Sequence, residues 1–321
     1  MRMGLQVSAD RGRYATKVEK LVADARWADE AGLDSVWTPQ IPDEFDVMTA
    51  ATLLASATSR IEIGTAVVPV QPRHPVVLAQ QALSTQAVAG GRFVLGVGVS
   101  HNWIIEDMLG LPYERLATTM RCYLEVLDQA LGGPGRVDVQ NELFAIHQPL
   151  DITDIAPTPV MVAALGPVML GLAGQRASGT ILWLADERTI ASHIVPLITR
   201  AAEQAGRAAP RIVAGVPVCL CREDEVGAAI ERTNRTLSEV ATSPNYARLM
   251  EHGDAKNIGD VLVCGSETTM EKRLRRFAEA GVTDLNARIV ALGEGRDEVR
   301  ASALRTREFL ASVTPSLQKL G

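Results

Sequence analysis

Ser100-His101-Asn102, with Glu106 just beyond, places an imidazole among polar neighbours at the end of an apolar run. An imidazole titrates near neutrality, so His101 can give or take a proton at physiological pH. It is the candidate acid/base residue, with a polar lining role as the alternative. Of the five histidines, it alone ends an expected strand. His74, before Pro75, reads as a helix-start or loop residue, and His147, His193 and His252 fall in loops or helices with no evident partner. Gln40 and Asn102 are candidate polar contacts to a substrate, Gln40 also to a cofactor.

Two glycine-bearing segments could hold a ligand. Gly96-Val97-Gly98-Val99-Ser100 lacks the third glycine of a dinucleotide fingerprint, and no helix is expected directly after it, which argues against a Rossmann site. Small residues there let a flat ring lie against a strand end, or soften a strand that must curve. Ala164-Leu165-Gly166-Pro167 joins a strand to a helix. Free amides at that helix start, reinforced by its dipole, can bind phosphate without a basic side chain, although a plain strand-helix turn has the same residues. Trp183 ends another strand. Cys219 and Cys221 would share one face of an apolar strand as small buried hydrophobes; no Cys-x-x-Cys or histidine pair completes a metal site. No Ser-His-Asp order, HExxH, P-loop or pair of catalytic carboxylates stands out.

The elements that must position these residues alternate from end to end. Strands are expected at 4–8, 34–38, 61–68, 92–99, 160–164, 180–184, 212–221 and 284–287. Helices fall between them, at 14–31, 46–57, 75–89, 113–131, 167–177, 187–205, 224–239 and 267–280, and a last one spans 298–313. Asp46 caps one, Pro75 opens another, and Gly32 ends the first. Strands nearly continuous in Val, Ile and Leu are buried on both faces, as in parallel sheets. A doubly wound sheet and a closed barrel both satisfy this. Eight repeats in 321 residues favour a (β/α)₈ TIM barrel, about 250 residues plus insertions, with the additions after strand four (132–158) and before strand eight, where 243–263 reads as a helical segment and loop. No composition shift marks a boundary, so residues 1–321 read as one domain, and a barrel's site lies at the strand C-termini.

Composition narrows the partners. With 47% hydrophobic and 22% charged residues the chain has the balance of a globular enzyme and needs no disulfide or metal staple. A net charge of −6 argues against nucleic acid. No segment approaches the ~20 apolar residues of a membrane helix, and the start, Met1-Arg2-Met3-Gly4-Leu5, has no signal-peptide pattern, so a cytoplasmic location is expected.

Taken in order, Ala31-Gly32-Leu33-Asp34-Ser35-Val36-Trp37, Ile63-Gly64-Thr65-Ala66-Val67, Gly91-Arg92-Phe93-Val94-Leu95-Gly96-Val97-Gly98, Ala164-Leu165-Gly166-Pro167 and Ala280-Gly281-Val282-Thr283-Asp284 resemble the luciferase-like monooxygenase superfamily. The resemblance spans nearly the whole chain and is strongest to the branch using the deazaflavin coenzyme F420. It implies a barrel, a homodimer, and a ring resting on a bulge after strand three, with a non-prolyl cis peptide at Ala66-Val67. It further implies phosphate contacts at Gly166 and Pro167, flanked by Ala164 and Leu165, and strand-four contacts at Gly98, Val99, Ser100 and His101. Two departures matter. Sugar-phosphate dehydrogenases of this branch carry Ser-Asp-His after strand two and Thr-Gly-Glu after strand four, where this chain has Pro39-Gln40-Ile41 and Val99-Ser100-His101. Their substrate is therefore not expected. The resemblance implies an F420-dependent oxidoreductase moving a hydride to or from a small organic substrate. An FMN-dependent monooxygenase and a cofactor-binding or storage protein without turnover are the alternatives.

Overall fold

The computed structural model describes residues 1–8, 16–241 and 243–320. Eight parallel strands close into a barrel: β1 (Arg2–Gln6), β2 (Ser35–Thr38), β3 (Glu62–Thr65), β4 (Phe93–Gly98), β5 (Val160–Ala163), β6 (Gly179–Trp183), β7 (Arg211–Leu220) and β8 (Asp284–Ile289). Each pairs with the next, and β8 returns to β1 with Met3 opposite Leu285. The expected fold class is correct. Outside lie α1 (Lys17–Glu30), α2 (Val47–Ala57), α3 (Pro75–Ala89), α4 (Leu116–Ala130), α5 (Pro167–Arg176), α6 (Val195–Gln204), α7 (Val226–Thr236), α8 (Glu267–Glu279) and α9 (Arg296–Gln318). The expected first-helix residues 14 and 15 lie outside the described residues.

Local chemistry sets the helix ends. Asp46 accepts from the Thr49 amide to start α2, Pro75 opens α3, and Gly32 follows α1 with φ +82°. The last helix runs past the expected stop at Val313 despite Pro315 inside it, with Val313, Thr314 and Leu317 buried. The addition after β4 is an antiparallel hairpin, Gly135–Gln140 with Ala145–Leu150. The addition before β8 holds a helix at Pro244–Met250 and a strand missed in the sequence, Val263–Gly265, which pairs with the end of β7. Three residues are too few for a periodicity signal. The pairing sets Cys264 opposite Cys219. Cys219 and Cys221 pack with Ala229 and Leu262 as the alternation predicted, and burial pushes all three thiols up, that of Cys264 to about 11.

The barrel interior is filled in layers. At its N-terminal end Arg2, Glu62, Arg211 and Asp284, each opening its strand, form one ion network. Above it Trp37, Val94, Met161, Ile181 and Val213 make an apolar plug, completely or almost completely buried. The Trp37 ring takes the space beside Gly64, where any Cβ would come within 2.2 Å of it. That plug is the floor on which the C-terminal face is built.

Candidate active site

A cavity of about 620 Å³ opens above the plug, within the range of small-molecule sites. On one side β3 breaks: the Ala66-Val67 peptide is cis, as expected, and the strand resumes at Val68 and Pro69 beside β4. Ala66 and Val67 both line the cavity. Gly98 does not line it, which corrects its assignment as a contact. A Cβ at Gly98 would sit 2.6 Å from Val67 Cγ2, so the glycine acts from beneath, by leaving room for the bulge.

After β4 the chain turns sharply. Ser100 takes φ +57°, uncommon for a residue with a side chain. Tyr113 Oη donates to the Ser100 carbonyl at 2.9 Å, and Gln71 Nε2 to that of Val99 at 2.7 Å. A π-helical turn, Trp103–Met108, follows at once, with Leu109 N bonded back to the Ile104 carbonyl. This corrects the expectation that no helix follows strand four. Wide π turns break the 3.6-residue period that sequence reading relies on.

Val99, Ser100 and His101 line the cavity, whereas Asn102 caps the π turn and is exposed outside it. Asn102 is therefore no substrate contact; the left-handed turn at Ser100 and the immediate helical start leave it facing out. The His101 ring stacks on Trp103 (centroids 5.5 Å apart, 14° between planes) and lies 6.1 Å from Tyr246. Burial holds the His101 pKa below its usual value of 6.5, so the imidazole is neutral at pH 7. It then presents one donor and one acceptor rather than a charge.

Gln40 also lines the cavity, but its Oε1 accepts from Val47 N at 3.1 Å, the first amide of α2. Only its amide NH₂, 3.5 Å from the Ile41 carbonyl, remains for a ligand. Trp183, ending β6, lines the wall where Gly215 leaves room for its ring, and the Arg288 guanidinium lies 5.8 Å from that ring.

Ala164, Leu165, Gly166 and Pro167 form the rim after β5, two strands on from the bulge. Gly166 is the N-cap of α5 without a side-chain cap, and Pro167 has no N–H, so the amides of Val168 and Met169 are open to an anion. Sequence reasoning missed the remaining lining: Gln6, Asn286 and Arg288 from β1 and β8, Trp103, Tyr246 and Arg248, and the pair His193 and His252. The signal for the β8 residues was their alternation, with Asn286 and Arg288 at every second position of a strand read only to Ala287. The insertion reads as helical in the sequence, but nothing in its residues says that it reaches the cavity. The histidines passed over as unpartnered do have partners: His147 bonds Asp138 at 2.6 Å, and His193 and His252 stack at 3.9 Å.

Two buried polar atoms of residues lining the cavity, Asn286 Oδ1 on β8 and Trp103 Nε1 after β4, find no hydrogen-bond partner among the described residues. Such atoms are costly unless a ligand completes them. A flavin or deazaflavin edge, with adjacent N–H donors and carbonyl acceptors, has the matching chemistry, and the uncapped start of α5 suits its phosphate. The residues present fit that group.

Comparison with known proteins agrees with this geometry. An F420-dependent glucose-6-phosphate dehydrogenase from Kineococcus radiotolerans is 26% identical over 99% of this chain and 97% of its own. The solved coenzyme F420-dependent tetrahydromethanopterin reductase from Methanopyrus kandleri has a TM-score of 0.75 at 21% identity, covering 97% of each chain. An FMN complex of the oxygenating constituent of 3,6-diketocamphane monooxygenase from Pseudomonas putida has a TM-score of 0.73 at 16% identity, over 99% of this chain and 98% of that one. Residues 1–284 match the luciferase-like monooxygenase family profile, and the chain belongs to that family.

Proposed function

We propose that this chain is an F420-dependent oxidoreductase acting on a small organic substrate. The observation that carries the proposal is one cavity bounded by an apolar bulge at Ala66 and Val67 and, two strands on, by the uncapped start of α5. The first offers a flat rest for a ring and the second a site for its phosphate. Both near-full-length similarities to F420-dependent enzymes support the reading.

When bound, the deazaflavin supplies hydride chemistry. The chain's own residues do the rest. Ala66 and Val67 support the ring from one side, and Trp183, Trp103 and Ile104 exclude water. Asn286 and the Gln40 amide fix its edge, and Val168 and Met169 amides hold the phosphate. His101, neutral and within the cavity, takes or returns the proton that accompanies hydride transfer. Pro39-Gln40-Ile41 and Val99-Ser100-His101 still argue against a sugar phosphate as substrate.

An FMN-dependent monooxygenase is the second reading, favoured by the FMN-bound structural relative. Side-by-side titration with F420 and FMN, followed by a turnover screen, separates them. Tight F420 binding with F420-linked turnover supports the proposal. Preference for FMN with oxygen consumption replaces it, and F420 binding without turnover on a broad panel points to a storage protein.

A further inference from the structure

His193 and His252 come from segments far apart in sequence, yet their rings lie face to face, 3.9 Å apart and 8° from parallel, on the cavity wall. His193 Nε2 lies 3.0 Å from the carbonyl of Leu165, the residue before Gly166. A carbonyl only accepts, so Nε2 carries the hydrogen. In the neutral ring Nδ1 is then a bare lone pair, which repels an oxyanion; one added proton turns it into a charged donor. We propose that the His193–His252 stack is the proton-linked half of an oxyanion site whose other half is the start of α5, taking an acid group on the tail of the bound cofactor. This rests on reading that helix start as the cofactor's phosphate site.

The surroundings favour proton uptake only with an anion present. Burial and the neighbouring His252 hold the His193 pKa below 6.5, despite its bond to the Leu165 carbonyl. A charge on one ring opposes a charge on its stacked neighbour, and a bound anion offsets that repulsion. Glu187 pairs with Arg273 and Arg276, and Arg188 with Asp254, while the Asp186 carboxylate, beside the chain just after His252, accepts from the Asp254 and Ala255 amides. Arg248, which donates to Asn245 Oδ1, and Arg288, over the Trp183 ring, are the cations among the described lining residues. Glu251 precedes His252 and is exposed, Arg200 and Glu203 lie about two turns or more along the helix from His193, and residues 165–169 carry no charge. No acidic side chain among the described residues lines the cavity to take the place of an anion.

The first test needs no cofactor. Ring-proton NMR of the full chain is titrated between pH 5 and 8 with sulfate, which stays fully ionised throughout, against chloride at equal ionic strength. Sulfate should raise the His193 pKa and move the ring resonances of the pair, leaving those of His147 in place; no shift at the pair overturns the proposal. The second test compares F420 with its tail-less deazaflavin fragment, which has the same ring and so the same ring titration. F420 affinity should rise up to about tenfold per pH unit as pH falls, one proton being taken up, while the fragment shows no such excess. His193→Gln keeps a donor for Leu165 and should abolish the slope; His252→Arg should leave tight binding with a weaker slope. An equal slope for the fragment, or one surviving in both variants, refutes the proposal. Sulfate shifts without F420 binding would instead leave the anion site standing and remove the F420 reading.

Discussion

At the scale of single residues the proposed function divides a proton carrier from a phosphate seat, and each can be tested alone. With its pKa lowered, His101 loses its neutral form only as pH falls below 6.5. If it acts as the proton acceptor, kcat/KM should hold above that value and decline on the acid side. His101→Asn removes the titration while keeping polarity, so turnover should drop about 10²-fold and the acid limb should vanish, with cofactor affinity little changed. A pH-rate profile of both proteins checks this; an unchanged rate would leave His101 a lining residue. Gly166→Leu probes the other half. No atom lies within 4 Å of a Cβ there and the backbone is extended at φ −99°, so the fold should tolerate it. F420 affinity should fall at least tenfold while the melting temperature holds, by titration and calorimetry.

At the scale of elements, the parts legible in the sequence are those set by local chemistry. Asp46, Pro75 and Gly32 announced their helix ends, and the Val-rich runs announced the eight strands. What escaped depends on contacts between distant segments: the π turn after Ser100, the short strand at Cys264, and the placing of Tyr246 and Arg248, on the helical insertion, against the cavity. The cavity wall was legible at the ends of β2 to β6, and missed at those of β1 and β8. It failed at Asn102 and Gly98, because a left-handed residue and a hidden steric role leave no mark on residue type. Asp186 shows how the insertion is tied down. Burial opposes its ionisation, but hydrogen bonds from Thr189, Ala255 and Asp254 outweigh this and lower its pKa below the usual 3.8. A depressed carboxylate stabilises fully above its unfolded value and loses that contribution as pH falls through its folded one, hence below pH 3.8. Asp186→Asn should therefore loosen residues 251–255, increasing their amide exchange and flattening part of the acid unfolding curve. Unchanged exchange there would show that Asp186 is not the tie.

At the scale of the whole molecule the two ends of the barrel do different work. The C-terminal end holds the cavity, with polar atoms left incomplete; the N-terminal end holds charges that complete one another. Arg211 Nη2 lies 2.6 Å from Asp284 Oδ1 and 2.9 Å from Glu62 Oε1, while Arg2 reaches both carboxylates from β1. This network joins β1, β3, β7 and β8 across the closing seam, and Asp284 in it is 1% exposed. Burial works against the Arg211 charge, yet the two carboxylates more than offset it and raise its pKa. Removing one partner leaves buried carboxylate charge under-compensated, which costs far more than the pair contributes against an apolar pair. Arg211→Met should thus destabilise the fold by about 3 kcal/mol. Because the apolar plug around Trp37 lies between this layer and the cavity, F420 affinity and the His101 pH profile should stay at wild-type values at temperatures where the variant is folded. Chemical denaturation and cofactor titration on one preparation read both quantities. Stability lost with binding intact is the expected result, in keeping with barrels that place function at one end and stability at the other. Loss of binding at full folding would mean the plug transmits strain along the axis, and the two ends would have to be treated as one site.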